Sequence, residues 1–151
     1  MDYNDTVQYL NELKWSDANG CIQRMSDLLS RLGDPQKGRK YIYVAGSNGK
    51  GSASAMLSAA LKSAGYKTGW YTASHLYEIN ERIRINGIPT ENSVFAKLVS
   101  KVKAAADSME TQATGEEIMI VSAVLWCAAQ GCDVMILEAA NNEKDAFYAL
   151  A

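Results

Sequence analysis

Tyr41-Ile42-Tyr43-Val44-Ala45-Gly46-Ser47-Asn48-Gly49-Lys50-Gly51-Ser52 is the stretch on which the fold turns. The β-branched and aromatic run Tyr41 to Val44 predicts a short buried strand that opens into a loop at Ala45-Gly46. Beyond the loop, Met56, Leu57, Ala60, Leu61 and Ala64 recur at helical spacing, which predicts a helix with that stripe inward, closed by Gly65. The loop between them is rich in glycine, so backbone N–H groups can converge on an anion at the helix start, with Lys50 adding a mobile charge. The usual phosphate-loop spacing does not apply literally: its first glycine would fall on Val44, and Gly51 stands at the hydroxyl position. The hydroxyl is displaced to Ser52, giving Gly-x-x-Gly-Lys-Gly-Ser in the required context of strand, loop and helix.

Outward from this unit, Lys67 to Tyr71 predicts a second strand, completing a right-handed βαβ crossover in a parallel sheet. The polar segment from Thr72 to Pro89 predicts a long functional loop or a small hairpin turning at Asn86-Gly87. Ser93 is the expected cap of a helix whose inner face is Val94, Phe95, Leu98, Val99 and Val102. Glu116 to Gln130 predicts an apolar helix, and Val134 to Leu137 a third strand with Glu138 at its carboxyl end. Upstream, Val7, Leu10 and Leu13, then Ile22, Met25, Leu28, Leu29 and Leu32, predict two helices, the second ended by Gly33-Asp34-Pro35. Trp70, Tyr71, Tyr66 and Trp126 fall in or beside these elements and are expected to pack.

The chain has 151 residues, 48% hydrophobic and 21% charged, which is one domain's worth of core. A formal net charge of −2 leaves no broad basic field for a nucleic acid, so any phosphate site must be local. Cys21, Cys127 and Cys132 form neither a metal-knuckle spacing nor an even disulfide set, which suggests a reducing compartment. The acidic, polar start lacks a secretory pattern, and the apolar run Ile118 to Ala129 is shorter than the roughly 18 residues of a spanning helix. A cytoplasmic protein with no membrane or nucleic-acid partner is expected.

The residues chosen for chemistry follow from the loop. Gly46, Ser47, Asn48, Gly49, Lys50, Gly51 and Ser52 are expected to hold ATP, with Ser52 and the strand-end Glu138 as oxygen ligands for magnesium bridging the phosphates. Arg82 and Arg84 alternate with Ile83 and Ile85, which fits either a half-exposed strand with solvated charges or a surround for an anionic substrate tail.

These residues resemble the folylpolyglutamate synthase and dihydrofolate synthase group of the Mur ligase superfamily. Val44 to Ser52 is similar to its phosphate loop, Gly65-Tyr66-Lys67-Thr68-Gly69 to the link into its second strand, and Tyr71-Thr72 with His75-Leu76 to its mobile omega loop. Asn80 to Gly87 and Arg31 to Pro35 continue the likeness, which covers nearly the whole chain up to Glu138. The resemblance implies a P-loop-containing, mostly parallel, three-layer α/β domain of at least three strands, truncated and lacking a C-terminal glutamate-binding domain. It also implies an ATP-dependent carboxylate-amine ligase, in which ATP activates a carboxylate of folate or dihydropteroate as an acyl phosphate and glutamate's amine attacks it.

On that resemblance Lys50, Glu138 and His75 are catalytic, Ser52, Ser74 and Glu138 hold magnesium, and Arg82 and Glu117 meet substrate. Departures are plain. The family usually reads Thr-Ser-Pro-His where this chain has Thr72-Ala73-Ser74-His75, so the metal-binding hydroxyl moves to Ser74. Glu116 stands where relatives carry a ring stacked on the pterin, and Ala139 to Asp145 departs from the family's continuation. The alternative to a ligase is a nucleotide-binding fragment or regulatory module without catalysis. A sheet cut short would leave an apolar edge, through which a homodimer is expected.

Overall fold

The chain, described here from a computed structural model at residues 1–46, 48–139 and 144–151, forms every element read from the sequence. In order these are α1 (Tyr3–Glu12), α2 (Cys21–Arg31), β1 (Tyr41–Val44), α3 (Lys50–Ser63), β2 (Thr68–Tyr71), a 3₁₀ turn (Ile79–Arg82), β3 (Ile83–Ile85) and β4 (Ile88–Pro89). They are followed by α4 (Asn92–Ala106), α5 (Gly115–Gln130), β5 (Val134–Glu138) and a short α6 (Lys144–Tyr148).

The strands form one sheet in the order β1-β5-β2-β3-β4. β1, β5 and β2 are parallel, and β3 and β4 continue antiparallel as a hairpin. The βαβ unit is therefore not a pair of neighbours, because β5 occupies the slot between β1 and β2. Burial explains this placement: β2 is buried throughout and β5 nearly so, as a central parallel strand covered on both faces requires. β1 is only partly covered, with Tyr43 43% exposed, and its outer side has no strand neighbour among the described residues.

The two crossovers run in opposite directions, β1 through α3 to β2 and the β2 hairpin through α4 and α5 back to β5. Right-handed connection then puts α3 and α5 on opposite faces. On the α5 face the fit is close: a Cβ added at Gly69 would lie 2.2 Å from Sγ of Cys127. α5 is buried on nearly every side and is closed at its start by a reciprocal Thr114–Glu117 capping box. The core joins α1, α2, α4, α5 and the sheet through Leu10, Met25, Leu28, Phe95, Val99, Ile118 and Leu137.

Three sequence expectations change. α3 buries Ser54 and Ser58, with Leu57 and Leu61 half covered, while Met56 is 69% exposed and Ala60 and Ala64 lie outside. Small residues one turn apart let this helix sit close on the sheet, a face that hydrophobic spacing alone does not single out. Ser93 is not the cap of α4, which starts at Asn92 after Glu91. Tyr66 is 52% exposed rather than packed. The hairpin turn falls where expected, with Asn86 and Gly87 both left-handed at φ 52° and 79°. All three cysteines are free and buried, and no described helix is long and apolar enough to cross a membrane.

Candidate functional site

At the carboxyl end of β1 the chain leaves through Ala45 and Gly46 (φ 145°), and Gly49 adopts φ 75° immediately before α3. Both values lie on the positive-φ side, which glycine adopts without the steric cost of a Cβ. The hydrogen bond from Ala53 N to Gly49 O is the first of the helix, so the N–H groups of Lys50, Gly51 and Ser52 have no intrahelical acceptor. Asn48, Gly49, Gly51 and Ser52 are exposed, which leaves this N-terminal cradle open to solvent. Ser47 lies outside the described residues.

Lys50 crosses to β5, where its Nζ donates to the Ala139 carbonyl at 2.7 Å. Glu138 pairs in register with Val44 and is 7% exposed. Burial pushes its carboxyl above the usual carboxylate range, and the Lys50 ammonium pulls it back. An ammonium and a buried carboxylate thus flank the cradle, the donor set that suits a nucleotide's phosphates and a bridging cation.

The loop after β2 opens at the same edge. Tyr71 is in register with Leu137 and Val44 with Glu138, so Val44 and Thr72 flank Glu138 across strand spacings of about 5 Å each. Ser74 and His75 are exposed on this loop, and Thr72 Oγ1 donates to the Ser74 carbonyl at 3.0 Å. Burial lowers the His75 pKa, as does the Arg82 charge, with Glu81 acting the other way. Among the described residues no three His, Cys, Asp or Glu side chains gather as a metal site, so a cation here would depend on phosphate and hydroxyl oxygens as well.

Arg82 and Glu117 sit differently from expectation. Arg82 ends the 3₁₀ turn, 9% exposed, 3.7 Å from a Glu116 carboxylate oxygen, with its guanidinium 5.0 Å over the Trp15 ring. It is inside the protein rather than on a half-exposed strand. Arg84 lies over Trp70. Glu117, 1% exposed, accepts both Arg24 Nε contacts at 2.9 and 3.0 Å and an Arg24 Nη2 contact at 2.7 Å while capping α5. It also lines a cavity of about 260 Å³ with Ser16, Asp17, Cys21, Glu116 and Asp145. Glu116 accepts a hydrogen bond from the Tyr71 hydroxyl.

Arg24, Trp15 and Glu81 were not singled out from the sequence, and Tyr71 was expected to pack rather than to hold a carboxylate. No local signal pairs residues 93 positions apart, as Arg24 and Glu117 are. A hollow of about 550 Å³ beside Arg39, Lys40, Tyr66 and Cys132 lies at the amino ends of β1 and β5. Ligands of open parallel sheets gather at the carboxyl ends of strands, so the loops carry the candidate site.

No protein-family model matches the chain. The dihydrofolate synthase/folylpolyglutamate synthase of Bacillus subtilis is 35% identical over 131 residues, 83% of this chain and 30% of that protein. A probable bifunctional folylpolyglutamate synthase/dihydropteroate synthase of Haloferax volcanii is 34% identical over 152 residues, 97% of this chain and 18% of that protein. Among solved structures, an FPGS–AMPPCP–folate complex superposes with a TM-score of 0.90 at 29% identity, over 97% of this chain and 37% of that one. The apo form of L. casei FPGS gives 0.89 at 28% identity. The chain spans about a third or less of the length of these relatives. By sequence and by fold, it belongs to the folylpolyglutamate synthase and dihydrofolate synthase family, of which it comprises one part.

Proposed function

We propose that the chain is the nucleotide-binding portion of an ATP-dependent ligase that joins glutamate to folate or dihydropteroate through an acyl phosphate. The observation that carries this is the cradle itself: three inward-free N–H groups at the start of α3, Lys50 beside them, and Glu138 in register across the sheet. A relative with this fold is solved with AMPPCP and folate, which supports the same two ligand classes here.

The loop N–H groups and Lys50 would hold and neutralise the β and γ phosphates, since phosphoryl transfer demands chiefly positioning and charge compensation. Gly46, Ser47, Asn48, Gly49 and Gly51 would supply backbone donors. Ser52, Ser74 and Glu138 would ligate magnesium, which supplies charge neutralisation between phosphate oxygens when bound. His75 would face the transferring group from the β2 loop. Arg82 would act through His75, and Glu117 by shaping the acidic cavity. A second copy would pair at the open side of β1, read by sedimentation.

The test is calorimetry of the 151-residue chain with Mg-ATP and with AMPPCP. Lys50→Ala should weaken binding by roughly 10- to 100-fold, the value of one or two charge-assisted hydrogen bonds. Absence of heat at millimolar nucleotide would sink the proposal. Binding without ADP release, when folate or dihydropteroate and glutamate are both present, would instead favour a nucleotide-binding module. The displaced hydroxyl at Ala73-Ser74 is the observation on that side.

A further inference from the structure

His75 is the only histidine of the chain, and its ring is tied to the protein at one nitrogen: Nε of Arg82 donates to Nδ1 at 3.0 Å. Arg82 cannot follow the loop, because its guanidinium is held by two groups from other segments. Trp15 lies under its guanidinium, the Glu116 carboxylate faces a terminal nitrogen, and Glu116 is itself held by the Tyr71 hydroxyl. Beside it Glu81 fixes the loop backbone, accepting from the N–H groups of Leu76, Tyr77 and Glu78 at 3.2, 3.2 and 2.8 Å. The consecutive pair Glu81-Arg82 therefore fastens the β2 loop at two points, one through its backbone and one through an imidazole.

An arginine N–H donates and cannot accept, so Nδ1 of His75 must present its lone pair, and the neutral ring then carries its proton on Nε2. We propose that Arg82 is a positioning residue: anchored on Glu116, it sets His75 in the Nε2–H tautomer and aims that donor at the phosphoryl group held between the α3 cradle and Glu138. The catalytic half of this rests on the ligase reading above, whereas the tautomer does not. A neutral Nε2–H can hydrogen-bond a phosphoryl oxygen throughout the transfer without gaining or losing a proton.

The experiment is nitrogen NMR of histidine-labelled protein at about pH 8, where an ordinary imidazole is neutral and a single histidine gives one pair of ring signals. Expected for the wild type are a lone-pair signature at Nδ1 and a protonated signature at Nε2, with the Nε2 signal moving when AMPPCP and magnesium are added. Arg82→Lys keeps a charge opposite Glu116 but lacks the planar fork that reaches both partners. It should still bind nucleotide, weakened by no more than about tenfold, the value of one hydrogen bond, yet show the averaged tautomers of free imidazole. Arg82→Gln should do the same, and if it fails to fold, the lysine variant and the wild-type spectrum still decide the matter. A proton on Nδ1, or averaged tautomers in the wild type, overturns the proposal. So does an Nε2 signal that ignores bound nucleotide. A fixed Nε2–H tautomer with no nucleotide binding at all overturns the functional reading and removes the catalytic half with it.

Discussion

Removing Arg24 should be the most damaging single side-chain change outside the hydrophobic core. Its guanidinium holds the Glu117 carboxylate through Nε and Nη2, and donates to the carbonyls of Asn19 and Asp17 at 2.6 Å each. The side chains of the pair are 8% and 2% exposed, so Arg24→Met would leave a carboxylate in the interior without a counter-charge and two carbonyls without donors. Breaking one partner of a buried pair costs about 3–5 kcal/mol, a large share of the roughly 5–15 kcal/mol that hold a domain folded. In a chain of this size that is a fall in Tm of roughly 6–20 °C. Urea unfolding with matched thermal scans measures it. Arg24→Met combined with Glu117→Gln should recover at least about 1 kcal/mol relative to the sum of the single changes, because the amide oxygen can still accept from Thr114 N. Additive losses, or an Arg24→Met penalty below about 1 kcal/mol, would refute this account and return the Glu117 carboxylate to a ligand.

Two further outcomes follow from the site and its sheet. Burial raises the Glu138 pKa, so the folded protein holds that proton to higher pH than the unfolded chain does. Stability is therefore lost as pH rises from the ordinary carboxylate range through the raised value; Glu138→Gln should unfold at higher urea than wild type at neutral pH, with the gap closing under acid. Gly69→Ala should lower stability by about 1–3 kcal/mol, because the added methyl would overlap the Cys127 sulfur. Cys127→Ala should relieve most of that loss, and equal unfolding midpoints for Gly69→Ala and wild type would contradict the contact.

Period and punctuation carried most of the fold. α5 and β5 are so consistently apolar, and the glycines around Lys50 so placed, that each element and the sheet's parallel character could be read directly. Spatial order could not, since nothing local in Val134–Leu137 says that it will lie between two earlier strands. That is settled by which strand can be covered on both faces. The inward face of α3 was misjudged for a related reason: Ser54 and Ser58 are buried because they are small, and hydrophobic spacing favours Met56. At the site, the backbone cradle was legible because glycine conformations are local. Arg82 was not, since its neighbours Trp15 and Glu116 come from distant segments, and alternation with Ile83 and Ile85 left it either a solvated charge or a surround for a substrate tail.

The position of β5 also bears on synthesis of the chain. β1 has no hydrogen-bonding strand among the described residues except β5, so after Val44 leaves the ribosome its backbone waits until Val134–Glu138 emerges. The β2–β3–β4 hairpin, by contrast, can close locally as soon as it is made. A nascent chain released between Gln130 and Val134 would therefore display α5, apolar on nearly every side, over a gap in the sheet, a species suited to chaperones or proteases. Translation through five residues fills that gap and joins β1 to the rest of the sheet.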